Sequence, residues 1–279
     1  MAFKRRASLD EIRAFYAQMM AVTSDCADER LEQAFELVPR EVFLGPGPWR
    51  IMVNHRYVET PSADPAYLYQ NVLVALDAAK GINNGEPFLH AAWIGAIAPR
   101  SGETIVHIGA GTGYYAALLS VLVLPNGQIH AFEIDAGLAK RARQNLEPFE
   151  GVTVVDDDAT KARLPTSDVI YVSAGVIVPP ASWIAALKPG GRLIFPWRPT
   201  ASIGVAVLVT RTEAGFTARP LMCGHGSSRV SARPIGTSAG RHRARWRHGR
   251  SARSGWPTSV RPTKQPSRFM KTFGYRRRT

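Results

Sequence analysis

The residues best suited to chemistry are three glycines and two acids. Gly109, Gly111 and Gly113 follow the β-branched run Thr104–Ile108 and precede the apolar run Tyr114–Leu124. That order predicts a buried strand, a tight turn and a packed helix. Glycines let the backbone approach a ligand closely, and the helix start offers free N–H groups and a positive dipole end to an electron-rich group. The alternating run Gln128–Ile134 predicts the next strand and ends in Glu133, 20 residues after Gly113. A doubly wound sheet places an acid about there to accept ribose hydroxyls. The plainer alternative is that Glu133 only flanks the helix beginning near Asp135. Gly151–Thr160 predicts a third strand that runs into Asp156, Asp157 and Asp158, which form either a solvated turn or, in part, a contact to a base edge.

The glycine spacing is G-x-G-x-G, with Tyr114 where a dinucleotide fingerprint needs its last glycine. This argues against a nicotinamide cofactor, and the tighter turn resembles the first motif of methyltransferases dependent on S-adenosylmethionine (SAM). Further along, Val169–Val172 predicts a fourth strand, and Pro179 and Pro180 suit the first turn of a helix that Lys188–Gly191 ends. Arg192–Pro196 predicts a fifth strand. Alternating strands and helices imply an α/β fold, doubly wound around a mainly parallel sheet. Ser202–Thr210 and Gly215–Leu221 predict a closing antiparallel hairpin.

Val38–Phe43 (VPREVF), the glycine turn, Glu133, the Asp158 turn, Pro179-Pro180 and Leu187–Pro196 (LKPGGRLIFP) together resemble the protein-L-isoaspartate O-methyltransferase family over about residues 10–222. The resemblance implies a Rossmann-like SAM-methyltransferase fold and methyl transfer to a carboxylate of a protein or peptide, in protein repair. It also implies that Gly109, Ala110, Gly111 and Gly113 hold the methionine side of the cofactor, Glu133 the ribose and Asp158 the adenine. Two positions depart from the family. Gly85 stands where it has a serine opening the segment before Pro87, and His107 replaces an acid just before the glycine turn. An ionised acceptor needs no general base, so no side chain is nominated as catalytic. The departures keep other readings open: a different peptide or small-molecule acceptor, or a SAM-binding protein without turnover. A lone histidine on a buried strand is more often a hydrogen-bonded core residue than a catalyst.

Upstream, Ser8–Met20 opens with a capping box, Ser8 with Glu11, and carries Ile12, Phe15, Tyr16 and Met19 on one side. Ala27–Leu37 predicts a second helix. Phe43–Tyr69, rich in Gly, Pro and aromatics, is expected to be either a substrate-facing loop or an irregular packed connection, with no chemistry assigned to His55. The expected organisation is an N-terminal helical and loop lobe at 1–80, a SAM-binding domain at 81–222 and a basic tail at 223–279.

The net charge of +13 is uneven: 15 of the 35 Lys and Arg lie in residues 222–279, which contain no Asp or Glu. Residues 1–221 carry 20 basic against 22 acidic side chains and are nearly neutral. The tail has no amphipathic period, so disorder is expected. Three explanations of it stand: nucleic-acid binding through Arg241–Arg247, a solvated extension without function, or a shifted reading frame. Cys26 and Cys223 match neither a metal spacing nor a disulfide framework. With no signal-peptide core and no long apolar run, a soluble, cytoplasmic, monomeric protein with no metal and no membrane contact is expected.

Overall fold

The computed structural model describes residues 7–26, 28–198 and 204–221. The expectations of a disordered tail and of a nucleic-acid grip at Arg241–Arg247 lie outside the described residues.

The chain begins with α1 (Leu9–Ser24), where the Ser8 hydroxyl accepts from the Glu11 amide and the Glu11 carboxylate accepts from the Ser8 amide. The helix runs one turn further than its sequence pattern predicts. Its buried side is Tyr16, Ala17 and Met20, whereas Phe15 is 62% exposed, so the face is rotated from the expected one. Next come α2 (Glu29–Leu37), capped by Asp28, and a short 3-10 turn at Arg40–Phe43.

The expected irregular connection contains regular structure. Strands β1 (Arg50–Val53) and β2 (Arg56–Glu59) form a hairpin whose two turn residues, Asn54 and His55, both have positive φ. Such a primed turn matches the twist of its strands, and it makes His55 a turn residue. A second small pair follows, β3 (Ala75–Asp77) with β4 (Ile82–Asn83).

The body then alternates as predicted. Helix α3 (Pro87–Ile97) leads to β5 (Thr104–Ile108), α4 (Tyr114–Leu122), β6 (Gln128–Glu133), α5 (Ala136–Leu146) and β7 (Val152–Asp156). Then come β8 (Ser167–Val172), α6 (Ala181–Ala186), β9 (Leu187–Trp197), β10 (Val205–Thr212) and β11 (Gly215–Leu221). Two boundaries differ from the sequence reading. Pro179 and Pro180 precede α6 rather than entering it, and Lys188–Gly191 belongs to β9, joining β8 through a register shift at Ser167/Val169. The strand pairing there overrides the helix-stop chemistry of Pro and Gly.

The seven strands lie in the order β11-β10-β9-β8-β5-β6-β7. Strands β5 to β9 are parallel, and β10 and β11 close the sheet as an antiparallel meander. The apolar runs of β5 and β8 are buried on both faces, as central parallel strands require. One side of the sheet buries Val106, Ile170 and Leu193 with Trp183, whose indole N–H donates to the Ala159 carbonyl. Helix α1 packs against α2 and α3. From β5 the chain winds outward through β6 and β7, then returns to β8 on the other side of β5. That reversal opens a crevice at the carboxyl ends of β5 and β8, where open α/β sheets bind ligands.

Candidate active site

The glycine turn leaves β5 directly into this crevice. The amides of Gly109 and Ala110 both donate to the Phe132 carbonyl, at 2.9 and 3.0 Å, which fastens the turn to β6. Gly113 has φ +99°, and a Cβ there would come within 2.7 Å of a Leu146 methyl, so only glycine fits between turn and α5. Helix α4 starts at Tyr114 with no side chain capping its amides and no acid in its first turn. Its positive end is therefore left for an outside electron-rich group.

Glu133, at the tip of β6, is 7% exposed and turned toward the glycine turn. One carboxylate oxygen accepts from the Gly111 amide at 2.7 Å and the other from the Asp135 amide at 3.0 Å. The carboxylate thus reaches the glycine turn and braces the residue that caps α5, in line with the plainer of its two sequence readings. Asp158 follows β7, but its carboxylate is turned onto its own loop. It accepts from the Thr160 hydroxyl at 2.6 Å and the Thr160 amide at 3.0 Å, and pairs with Lys161 at 2.9 Å. The Thr160 hydroxyl first, then Lys161, holds this carboxyl down at about 2. The structure thus joins Gly111 to Glu133 and shows Asp158 engaged locally.

His107 is fully buried on β5. Its Nε2 lies 2.9 Å from the hydroxyl of Ser173, the first residue after β8, and its Nδ1 has no partner among the described residues. Burial lowers its pKa to about 3, so it is neutral where an acid would carry charge. Gly85 has φ +75°, and a Cβ on it would stand 2.3 Å from Nε2 of His90. The room a serine would need at position 85 is filled by an imidazole from α3.

Four residues beside the crevice escaped the sequence reading. Asn71 caps α3 from 17 residues upstream: its Oδ1 accepts from the Phe88 amide, and its amide donates to Glu86 at 2.7 Å. Leu76, in β3, lies 3.3 Å from where a Gly111 Cβ would be, over the glycine turn. Lys80 donates to Asp135 at 2.6 Å, bridging the β3–β4 turn and the start of α5. Ser173 meets His107. Only Asn71, as a short polar residue in a loop, carries a capping signal at all, and nothing local says which helix it caps. Among the described residues no cluster of His, Cys, Asp and Glu could hold a metal ion, and no helix is long and apolar enough to cross a membrane.

The turn is one residue too short for a dinucleotide fingerprint, and the neighbouring strand closes it with an acid at the switch point. The class this site defines is that of the SAM-dependent methyltransferases. Comparison with known proteins narrows it. The family model for protein-L-isoaspartate(D-aspartate) O-methyltransferase matches residues 19–219, so the chain belongs to that family. A protein-L-isoaspartate O-methyltransferase of Ignicoccus hospitalis is 28% identical over 198 residues, 70% of this chain and 85% of that protein. A solved protein-L-isoaspartate O-methyltransferase superposes with a TM-score of 0.64 at 25% identity, covering 75% of this chain and 63% of the other. A second solved structure, a Plasmodium falciparum protein described as a putative member of the family in complex with S-adenosyl-L-homocysteine, superposes with a TM-score of 0.60 at 15% identity. It covers 75% of this chain and 94% of the other and shares the fold.

Proposed function

We propose that the chain methylates a carboxylate of a protein or peptide, an isoaspartyl carboxylate in the first instance, with SAM as donor. The observation that carries this reading is the extent of the family match. It spans residues 19–219 and so takes in the glycine turn, the tip of β6 and the Asp158 loop.

The residues present fit the cofactor on most counts. Glycines at 109, 111 and 113 leave the turn without side chains, and α4 presents an uncapped positive end suited to a carboxylate. Glu133 keeps acceptor capacity for ribose hydroxyls beyond the two backbone amides that share it, which supports that role. The hydroxyl of Thr112, inside the turn, is buried without a partner among the described residues. Position 107 is the exception, because a neutral imidazole offers no charge to an ammonium group. We assign Gly109, Ala110, Gly111, Gly113 and Glu133 to the cofactor. Asp158 joins them only if its carboxylate leaves Thr160.

When bound, SAM supplies a methyl group on an electrophilic sulfonium. The acceptor carboxylate is ionised at neutral pH, so the chain has no proton to remove. Its own residues orient: the glycine turn and α4 fix one end of the site, Glu133 braces the turn, and Leu76 on the β3–β4 pair lies against Gly111. No side chain need act as base or nucleophile.

Gly85 with His90 favours a second reading, a SAM-dependent transfer to a different peptide or small-molecule acceptor. Here the lining beside α3 is an imidazole, not a hydroxyl. Calorimetry with S-adenosylhomocysteine, followed by methyl transfer to an isoaspartyl peptide against its normal aspartyl twin, separates the two. Binding with selective methylation of the isoaspartyl peptide supports the first. Binding with neither peptide methylated supports the second, and no binding rejects both. A cytoplasmic, monomeric protein accords with this reading.

A further inference from the structure

Resting on the methyltransferase reading, we infer that the Ser173 hydroxyl hydrogen-bonds the carboxylate of the acceptor, and that His107 is the positioning residue that aims it. Ser173 is the first residue after β8, and its amide donates to the Ile108 carbonyl at 2.8 Å, which pins it beside the glycine turn. A Cβ on Gly109 would stand 3.5 Å from the amide nitrogen of Ala174, the next residue. Ser173 is half-buried where the crevice opens, whereas the His107 ring is fully enclosed and crosses that of Tyr171 at 77°. The one polar contact of that ring among the described residues is Nε2 to the Ser173 Oγ at 2.9 Å, an ordinary length for an N–H donor. Nδ1 is buried without a partner among the described residues, and a proton there would be an orphaned donor, the rarer arrangement. Burial keeps the ring neutral, with its pKa lowered to about 3, so it carries a single proton. That proton sits on Nε2: His107 donates and Ser173 accepts.

The consequence falls on the serine. Its Oγ has a single hydrogen, and with Nε2–H occupying the inner side, that hydrogen turns outward into the crevice. An ionised acid at position 107 would do the opposite, because it can only accept and would draw the serine hydrogen inward. The histidine is therefore what makes Ser173 a donor. Its place in the sheet selects the reactant. The residues assigned to the cofactor run from β5 toward β6, whereas Ser173 ends β8, on the other side of β5. The strand reversal thus sets donor and acceptor apart and leaves the β8 end to the acceptor. There an O–H bonds one oxygen of an ionised carboxylate, a charge-assisted bond that fixes the group while its other oxygen takes the methyl.

The test is nitrogen-15 NMR of the histidine-labelled full chain together with Ser173→Ala and Ser173→Thr. The resonances lost in His107→Gln identify the ring, which is expected to be neutral with its proton on Nε2. Isoaspartyl peptide added to the S-adenosylhomocysteine complex should move the Nε2 resonance, because a serine that gives its hydrogen to a carboxylate becomes a better acceptor. In Ser173→Ala the KM for isoaspartyl peptide should rise about tenfold, the effect of one bond to a charged group, with kcat changed less. The Kd for S-adenosylhomocysteine should stay as in wild type, and Ser173→Thr, which keeps the hydroxyl, should recover most of the loss in KM. A proton on Nδ1, or an Nε2 resonance indifferent to a peptide that the wild-type protein methylates, overturns the inference even should the alanine variant not fold. A folded alanine variant with unchanged KM overturns it too. Wild-type protein that shows no calorimetric binding of S-adenosylhomocysteine removes the methyltransferase reading and this inference with it, an outcome distinct from silence at His107 alone.

Discussion

The carboxylate of Glu133 accepts the amide of Gly111 at 2.7 Å, so the acid at the tip of one strand holds shut the glycine turn at the tip of the next. A second bond, from the Asp135 amide, fixes its other oxygen. The same group is a structural brace and, under the proposed function, the ribose acceptor.

Glu133→Gln separates these roles in part. The amide keeps one acceptor oxygen but turns an NH2 toward one of two backbone N–H groups, so one bond becomes a donor facing a donor. Stability should fall by about 1–3 kcal/mol, measured by urea unfolding. The Kd for S-adenosylhomocysteine should rise at least tenfold, more than the turn alone would give. Unchanged affinity in a folded variant would remove Glu133 from the cofactor site.

Restoring a serine at position 85 should not restore anything. Gly85→Ser places a Cβ 2.3 Å from Nε2 of a ring wedged between Tyr115 and Trp93, at a φ of +75° that L side chains rarely adopt. The ring cannot swing away as a flexible chain could. The expected cost is about 2–4 kcal/mol, from strain and overpacking together. Adding His90→Ala should recover the overpacking share while leaving the backbone strain. Thermal unfolding of the single and double variants checks this; a single variant as stable as wild type would show that the α3 start can shift.

Much of the sheet was legible because β-branched runs at regular spacing can only be central strands, and the glycine turn and Glu133 were legible because their spacing reflects one loop and one crossover. What was hidden depended on contacts distant in sequence. Asn54 and His55 form a two-residue primed turn without the glycine that usually signals one. The segment Lys188–Gly191 reads as a helix stop but is drawn into β9 by pairing with β8. Asn71 caps a helix 17 residues on, and His90 fills a space that exists only because Gly85 has no side chain. No periodicity encodes a vacancy.

Two buried neutral histidines should make the fold sensitive to mild acid. Burial lowers His107 to about 3 and His90 well below its usual value, while in the unfolded chain both titrate near 6.5. As pH falls below about 6.5 the unfolded state takes up protons that the folded state refuses, so stability present above that pH is lost. The loss approaches about 2 kcal/mol for each histidine at pH 5. Carboxyl groups held low, such as Asp168, whose burial pushes it up but is outweighed by Lys188 and the Thr104 amide, act only at still lower pH. Urea midpoints at pH 7 and pH 5 measure the effect. His107→Gln keeps a polar partner for Ser173 but cannot titrate, and should remove its own share, about 2 kcal/mol of the loss at pH 5; an unaltered slope would show that His107 does not stay neutral.

Arg40 offers the strictest test of how the N-terminal part supports the site. Its guanidinium is fully buried, and it donates to the carbonyls of Leu68, Gln70 and Val72, gathering one turn of chain around a single side chain. The next residue in that turn, Asn71, caps α3 and bonds Glu86, the neighbour of Gly85. Arg40→Met leaves three carbonyls without their donor, that of Leu68 fully buried, and should cost about 3 kcal/mol. Arg40→Lys should recover little, because one ammonium on a flexible stem cannot span three carbonyls as a planar fork does. If Arg40 acts through Asn71, the two are coupled. A double-mutant cycle of Arg40→Lys with Asn71→Ala, followed by unfolding and by the Kd for S-adenosylhomocysteine, should then give a non-additive loss of about 1 kcal/mol or more. Strictly additive losses would mean that the buried arginine stabilises its own turn and leaves the start of α3 where it was.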